Sequence, residues 1–227
     1  DCEYYLNRTL EAGKKILAEG AQGSMLDVDF GTYPFVTSSN TVTAGVCTGL
    51  GVAPQRIGRV IGITKAYCTR VGSGPFPTEL HDETGERLRQ QGHEFGSTTG
   101  RPRRCGWMDL PQLRYTIMLN GVTELCMTKI DVLDNFEVVQ CATAYRYEGT
   151  ESMDMPFDLC KTEVQAVYQS FPGWQQSLAE CHTFDQLPKE ARFYINSLEH
   201  ALGTPFGMVS TGPEREKLLL KTNAHPS

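Results

Sequence analysis

Arg101, Arg103 and Arg104 stand within four positions, directly after Ser97-Thr98-Thr99-Gly100 and shortly before Trp107. An arginine fork grips two oxygens of a carboxylate or phosphate at once, hydroxyls add donors, and glycine lets the backbone come close. Residues 94–107 therefore read as an anion receptor. The plainer reading of such a cluster is a solvated basic loop or a nucleic-acid patch. The hydroxyls and glycine before the arginines, and the apolar Trp after them, favour the receptor. A formal net charge of −6 makes the whole chain a poor nucleic-acid binder.

Three further polar loops follow apparent strands: Gly20-Ala21-Gln22-Gly23, Thr128-Lys129-Ile130-Asp131 and Ser210-Thr211-Gly212-Pro213. A carboxylate such as Asp131 can accept two parallel hydrogen bonds from the N1–H and 2-amino edge of guanine. A lysine stem can lie over the ring face with its ammonium in water. Adenine presents a different donor pattern and leaves the carboxylate badly paired. Each loop alone is an ordinary surface turn; two of them beside an anion receptor point to nucleotide binding. The 227 residues contain no Gly-x-x-x-x-Gly-Lys-Ser/Thr loop. The residues alone thus describe an α/β module that binds a purine base and a small anion without a phosphate loop of its own.

The elements that must position these loops alternate between strands and helices, which makes α/β the expected class. Helices are expected over Tyr4 to Ala12, within Thr41 to Val52, over Asp82 to Gln91, Asp109 to Leu119 with Asp109 as N-cap, Glu163 to Phe171, and Pro188 to Leu202 closed by Gly203. Strands are expected at Lys15 to Gly20, Arg59 to Tyr67, Val122 to Met127, Glu137 to Tyr147 at an antiparallel edge, and Phe206 to Val209. Asp29 to Asn40 and Cys68 to Pro77 read as loops.

Size and composition set the frame. With 40% hydrophobic and 21% charged residues, 227 residues suffice for one domain with a real core. No linker or repeat divides the chain, so residues 1–227 are read as a single domain. No apolar run reaches membrane-spanning length. The eight cysteines are scattered without a Cys-x-x-Cys pair, which reads as reduced thiols of a cytoplasmic protein. The five histidines form no metal-ligand spacing, so no metal site is expected within this chain.

Taken in order, several segments resemble adenylosuccinate synthetases: Glu19 to Gly23, Gly31 to Thr41, Lys65-Ala66-Tyr67, Thr69 to Leu80, the arginine loop, Thr128 to Asp131 and Ser210 to Pro213. They span nearly the whole chain. The resemblance implies a GTP-dependent ligase that joins IMP and L-aspartate on the way to AMP. It implies a mainly parallel sheet flanked by helices, similar to that of P-loop GTPases. It implies IMP contacts at Gln22, Thr37, Val71 and Arg101. Aspartate contacts are implied at Ser97, Thr98, Thr99, Gly100, Arg101 and Arg103, and GTP contacts at Arg103, Lys129, Ile130, Asp131, Ser210, Thr211 and Gly212. Arg104 receives no role. The family's phosphate loop, catalytic Asp and His, Mg²⁺ ligands and an Arg that crosses a homodimer interface all precede the matching region. The chain is therefore expected to be the C-terminal portion of an incomplete fold, with no catalytic or Mg²⁺-binding residue of its own. The alternative is a non-catalytic module for a guanine nucleotide or acidic ligand.

Overall fold

The computed structural model describes residues 1–96 and 100–221. In chain order the strands are β1 (Ile61–Lys65), β2 (Cys68–Arg70), β3 (Arg104–Gly106), β4 (Met108–Asp109), β5 (Glu124–Thr128), β6 (Val138–Tyr147), β7 (Thr150–Ser152), β8 (Gln165–Pro172), β9 (Phe206–Ser210) and β10 (Leu218–Leu220). The helices are α1 (Cys2–Glu11), α2 (Ala44–Leu50), α3 (Glu83–Gln91), α4 (Leu110–Asn120) and α5 (Lys189–Leu202).

The first sheet has the order β1-β5-β9-β10. Strands β1, β5 and β9 run parallel, and β10 closes the edge antiparallel to β9. Leu125, Cys126 and Met127 of β5 are all buried, as a central parallel strand covered on both faces requires. β1 lies at the opposite edge, and Ile61 and Ile63 on one of its faces are exposed. The expected α/β architecture with a mainly parallel sheet is met here.

A second sheet is built on β6. β8 runs antiparallel along one side of it, while β4 (parallel) and β7 (antiparallel) share the other. The segment expected at an antiparallel edge is thus the centre of this sheet. β8 also overturns the helix expected over Glu163 to Phe171. Val167, Tyr168 and Phe171 favour an extended backbone, and pairing with β6 from Val138 to Arg146 decides the matter. The strand expected at Lys15 to Gly20 is instead irregular, and Leu17 is 90% exposed. A short apolar run does not by itself distinguish these states. Within the loop expected at Cys68 to Pro77, the first three residues form β2, which pairs with β3 so that Arg70 faces Arg104 across the ladder.

One core joins both sheets. Ala191, Tyr194, Ile195 and Leu198 form the buried face of α5, at helical spacing. Tyr194 packs edge-on against Phe171 and donates its hydroxyl to the Ala66 carbonyl at the end of β1, at 3.3 Å. The Asp109 and Asp82 carboxylates accept from Gln112 N and Gly85 N to cap α4 and α3, and Gly203 ends α5 in the left-handed region. No helix among the described residues is long and apolar enough to cross a membrane.

Candidate functional site

β1, β5 and β9 end on the same side of their sheet, where open parallel sheets hold ligands. Lys65 closes β1, Lys129 and Asp131 follow β5, and Thr211 and Gly212 follow β9. Glu94 lies beside them, fully buried. Its Oε1 accepts from Tyr67 Oη at 2.6 Å and Lys65 Nζ at 2.8 Å, with Lys129 Nζ 3.3 Å away. Its Oε2 accepts from Arg103 Nη1 at 2.7 Å. Burial pushes this carboxyl toward protonation, but the hydrogen bonds from Lys65, Tyr67 and Arg103 and the Lys65 charge outweigh it, holding the pKa at about 2. Burial depresses the Lys65 pKa, and the Lys129 and Arg103 charges act in the same direction against Glu94.

Glu94 and Arg103 also form the base of the arginine hairpin. Arg103 N donates to Glu94 O at 2.9 Å, and the next rung is the Phe95–Pro102 bridge. Gly100 N donates to Gly96 O, and Gly100 takes a positive φ of 63°, the turn for which glycine suits this position. Arg101 is exposed at the tip. Ser97, Thr98 and Thr99, which the resemblance places against aspartate, lie outside the described residues. Arg104 turns the other way. It forks onto Glu79, donates to the Gly72 and Gly74 carbonyls and lies over the Phe76 ring. Arg104 therefore braces the 72–79 loop, so the sequence cluster splits: Arg103 joins Glu94, Arg101 is exposed, and Arg104 is structural.

The loop after β5 departs in detail from the sequence reading. Lys129 adopts a left-handed φ of 60°, and its ammonium donates to the Gly92 carbonyl beside Glu94 instead of standing in water. Ile130 is fully buried and packs in the core beneath this loop. Asp131 is partly exposed. Burial raises its carboxyl pKa and Glu214 raises it further, against its own backbone N–H and Lys129. After β9, Ser210 Oγ donates to the Gly212 carbonyl at 2.7 Å and the buried Thr211 hydroxyl donates to Lys217 O, so both hydroxyls are held within the loop.

Gln22, Thr37 and Val71 belong to a neighbouring lobe of loops. Asp27 organises it: the buried carboxylate accepts from the backbone N–H groups of Asp29, Phe30, Thr41 and Val42. Burial works against its ionisation, yet these four donors lower its pKa. Arg70, at the end of β2, donates to Thr32 Oγ1 and Phe35 O, tying the 32–37 turn to Val71's segment. Gln22 is exposed with a φ of 61°, and Val71 is 64% exposed. The β2–β3 ladder then connects this lobe to the arginine hairpin.

The sequence reading missed Glu94, Lys65, Tyr67, Asp27 and Arg70 as organisers. The available signal was an acidic residue at the start of an arginine cluster, together with Lys65-Ala66-Tyr67 at a strand end. Spacing alone does not show that these groups meet.

A family model described as adenylosuccinate synthetase matches residues 1–219. The chain belongs to the adenylosuccinate synthetase family. The family's curated relatives include the adenylosuccinate synthetases of Porphyromonas gingivalis, 58% identical over 221 residues, and Cytophaga hutchinsonii, 56% identical over 222. Each alignment covers 97% of this chain and 52% of the relative. The chain therefore spans about half the length of the curated relatives it matches. The structure of fully ligated adenylosuccinate synthetase from Plasmodium falciparum matches with a TM-score of 0.94 at 41% identity, covering 98% of this chain and 54% of that one. A cyanophage S-2L succinoaminodeoxyadenylate synthetase shares the fold at a TM-score of 0.59 and 20% identity, covering 96% of this chain and 49% of that one. Among the described residues, no group of three or more His, Cys, Asp or Glu side chains could hold a metal ion.

Proposed function

We propose that this chain is the base-reading and aspartate-holding half of a GTP-dependent IMP–L-aspartate ligase acting in AMP biosynthesis. The observation that carries the reading is the convergence on buried Glu94 of Lys129, from the loop after β5, and Arg103, from the arginine hairpin. One carboxylate thereby ties a base-reading loop to an anion-gripping loop, the combination such a ligase needs. In the reaction, IMP loses its N1 proton as its O6 attacks the γ-phosphorus of GTP, and GDP leaves. The aspartate amine then attacks C6, the 6-phosphoryl group departs as phosphate, and the amine proton is released. Asp131 accepts the guanine N1–H and 2-amino hydrogens, with Lys129 and the backbone of Ser210 to Gly212 around the base. Arg101 and Gly100 meet the aspartate carboxylates with Ser97 to Thr99. Gln22, Thr37 and Val71 line the IMP side, and Arg103 faces GTP. Guanidinium groups fixed in advance stabilise charge as it develops.

The groups that move protons, and those that would hold Mg²⁺, are assigned to the other half. Among the described residues, no His, Cys, Asp and Glu cluster fits Mg²⁺. A homodimer in the cytoplasm, without nucleic-acid or membrane partners, completes the proposal.

The test is adenylosuccinate formation from IMP, aspartate, GTP and Mg²⁺. A protein of full family length carrying these residues turns over, and the 227-residue chain alone does not. Turnover by the isolated chain would overturn its assignment as half an enzyme. Asp131→Asn keeps one acceptor but deletes the charge and sets an amide donor against guanine's own donors, a loss of about 1.5–3 kcal/mol, so apparent GTP affinity drops at least about tenfold. Equal use of GTP and ATP by the wild type would overturn base readout.

A further inference from the structure

We infer that Glu94 is a positioning residue that sets the arginine hairpin and the guanine-reading loop in one fixed relation, so that GTP and aspartate are held as a pair. The inference rests on the functional reading above. Glu94 touches both loops through its side chain and forms the hairpin's base through its backbone. Arg103 N donates to its carbonyl and Arg103 Nη1 to its carboxylate, so both strands of the hairpin are fixed at that rung. The other carboxylate oxygen faces Lys129 and Lys65, and Lys65 Nζ also donates to Thr69 Oγ1 at 2.8 Å, reaching into β2. Gly92 completes the frame: its carbonyl accepts from Lys129, and a Cβ there would stand 2.2 Å from the Tyr67 hydroxyl oxygen. Glu94 contributes one negative charge among three cations, which leaves an excess of positive charge facing the anionic substrates. The backbone of residues 92–94 is already tied to α3, through Gly92 N to Leu88 O and Glu94 N to Arg89 O. A shift of the carboxylate therefore moves the hairpin and Lys129 together.

Glu94→Gln keeps shape and one acceptor but deletes the charge shared by Lys65, Lys129 and Arg103. In the full-length enzyme its expected signature is a rise of about tenfold in KM for both GTP and aspartate. KM for IMP, whose contacts lie mostly on loops tied by Asp27 and Arg70 and which shares only Arg101 with the hairpin, stays within about threefold. A merely structural role would lower the melting temperature and leave the KM values of the folded enzyme unchanged, and that outcome would overturn the inference. A rise for GTP alone would overturn it equally. Tyr67→Phe supplies the second arm, because it removes the 2.6 Å hydrogen bond while keeping every charge. It should raise both constants together by about two- to fivefold, and a shift in only one, or in neither, counts against the inference even if Glu94→Gln fails to fold. Wild-type turnover is measured first. Its absence would refute the functional reading and this inference with it, whereas wild-type turnover with unlinked KM values would refute this inference alone.

Discussion

Asp109 permits a prediction whose sign runs against the usual behaviour of acidic groups. Its side chain is almost wholly buried, and both carboxylate oxygens accept from the Tyr145 hydroxyl, at 2.7 and 2.6 Å. Gln112 contributes its backbone N–H at 3.1 Å and its side-chain amide at 2.8 Å. Burial outweighs these donors and pushes the pKa up to about 6. The unfolded value is about 3.9, so between pH 4 and 6 the folded chain keeps a proton that the unfolded chain releases. Stability therefore rises as pH falls through that window, by at most about 3 kcal/mol at ~1.4 kcal/mol per unit. Glu94 has the opposite sign. Its pKa of about 2 lies below the unfolded value, so its contribution is full above about pH 4.5 and is lost as pH falls toward 2. Asp109→Asn retains a favoured N-cap and nearly the same shape. Denaturant titrations from pH 3 to 7, followed by the fluorescence of buried Trp107 and Trp174, measure both variants. Other buried carboxyls, Asp131 and Asp134, have raised pKa values too, so the difference between the two curves is the diagnostic quantity. The difference should change by up to about 3 kcal/mol in the wild type's favour between pH 7 and 4, because only the wild type gains the Asp109 contribution. Parallel curves across that window would refute the assignment of a raised pKa to Asp109.

Three further outcomes follow from particular contacts. Asp27→Ala strands four backbone donors, and is expected to cost about 3 kcal/mol and raise KM for IMP in the full-length enzyme, read by thermal melting and initial rates. Gly92→Ala drives a methyl toward the Tyr67 hydroxyl at 2.2 Å and the Leu88 carbonyl at 2.8 Å. A loss of about 1–3 kcal/mol is expected, partly recovered in a Tyr67→Phe background, and additive losses in the double variant would contradict this geometry. Ile63→Lys on the exposed face of edge strand β1 should reduce aggregation of the isolated chain, measured by light scattering, while changing its stability by no more than about 0.5 kcal/mol.

What was legible in the sequence is local. Asp109 and Asp82 before helices and Gly203 after one carry their capping chemistry with them, and β5 carries the short apolar run Leu125-Cys126-Met127. The polar loops after β5 and β9 were also legible as loops at strand ends. The failures are tertiary. Residues 165–172 become a strand because β6 offers a complementary edge, and β6 becomes central because β8 and β4 find it. Arg104 looked like its neighbours Arg101 and Arg103, yet the Arg70↔Arg104 register turns it onto Glu79 and away from the site. Nothing in the spacing of Arg101, Arg103 and Arg104 distinguishes them; only the ladder does.

The same point explains how an acidic chain gathers Lys65, Lys129 and Arg103 in one place. The net charge of −6 is an average over solvated groups, each screened within about 8–10 Å. Glu94 is not screened in this way, because it is buried and its field reaches Lys65, Lys129 and Arg103 at 2.7 to 3.3 Å. It holds three mutually repelling cations close together, which none of them would tolerate alone. Removing Glu94 would raise the local positive charge, so bulk electrostatics alone would predict tighter anion binding. The expected result is weaker binding, because the cations would separate and the hairpin would lose its base. The direction of change in GTP and aspartate KM therefore discriminates between charge and geometry as the means by which this site holds its ligands.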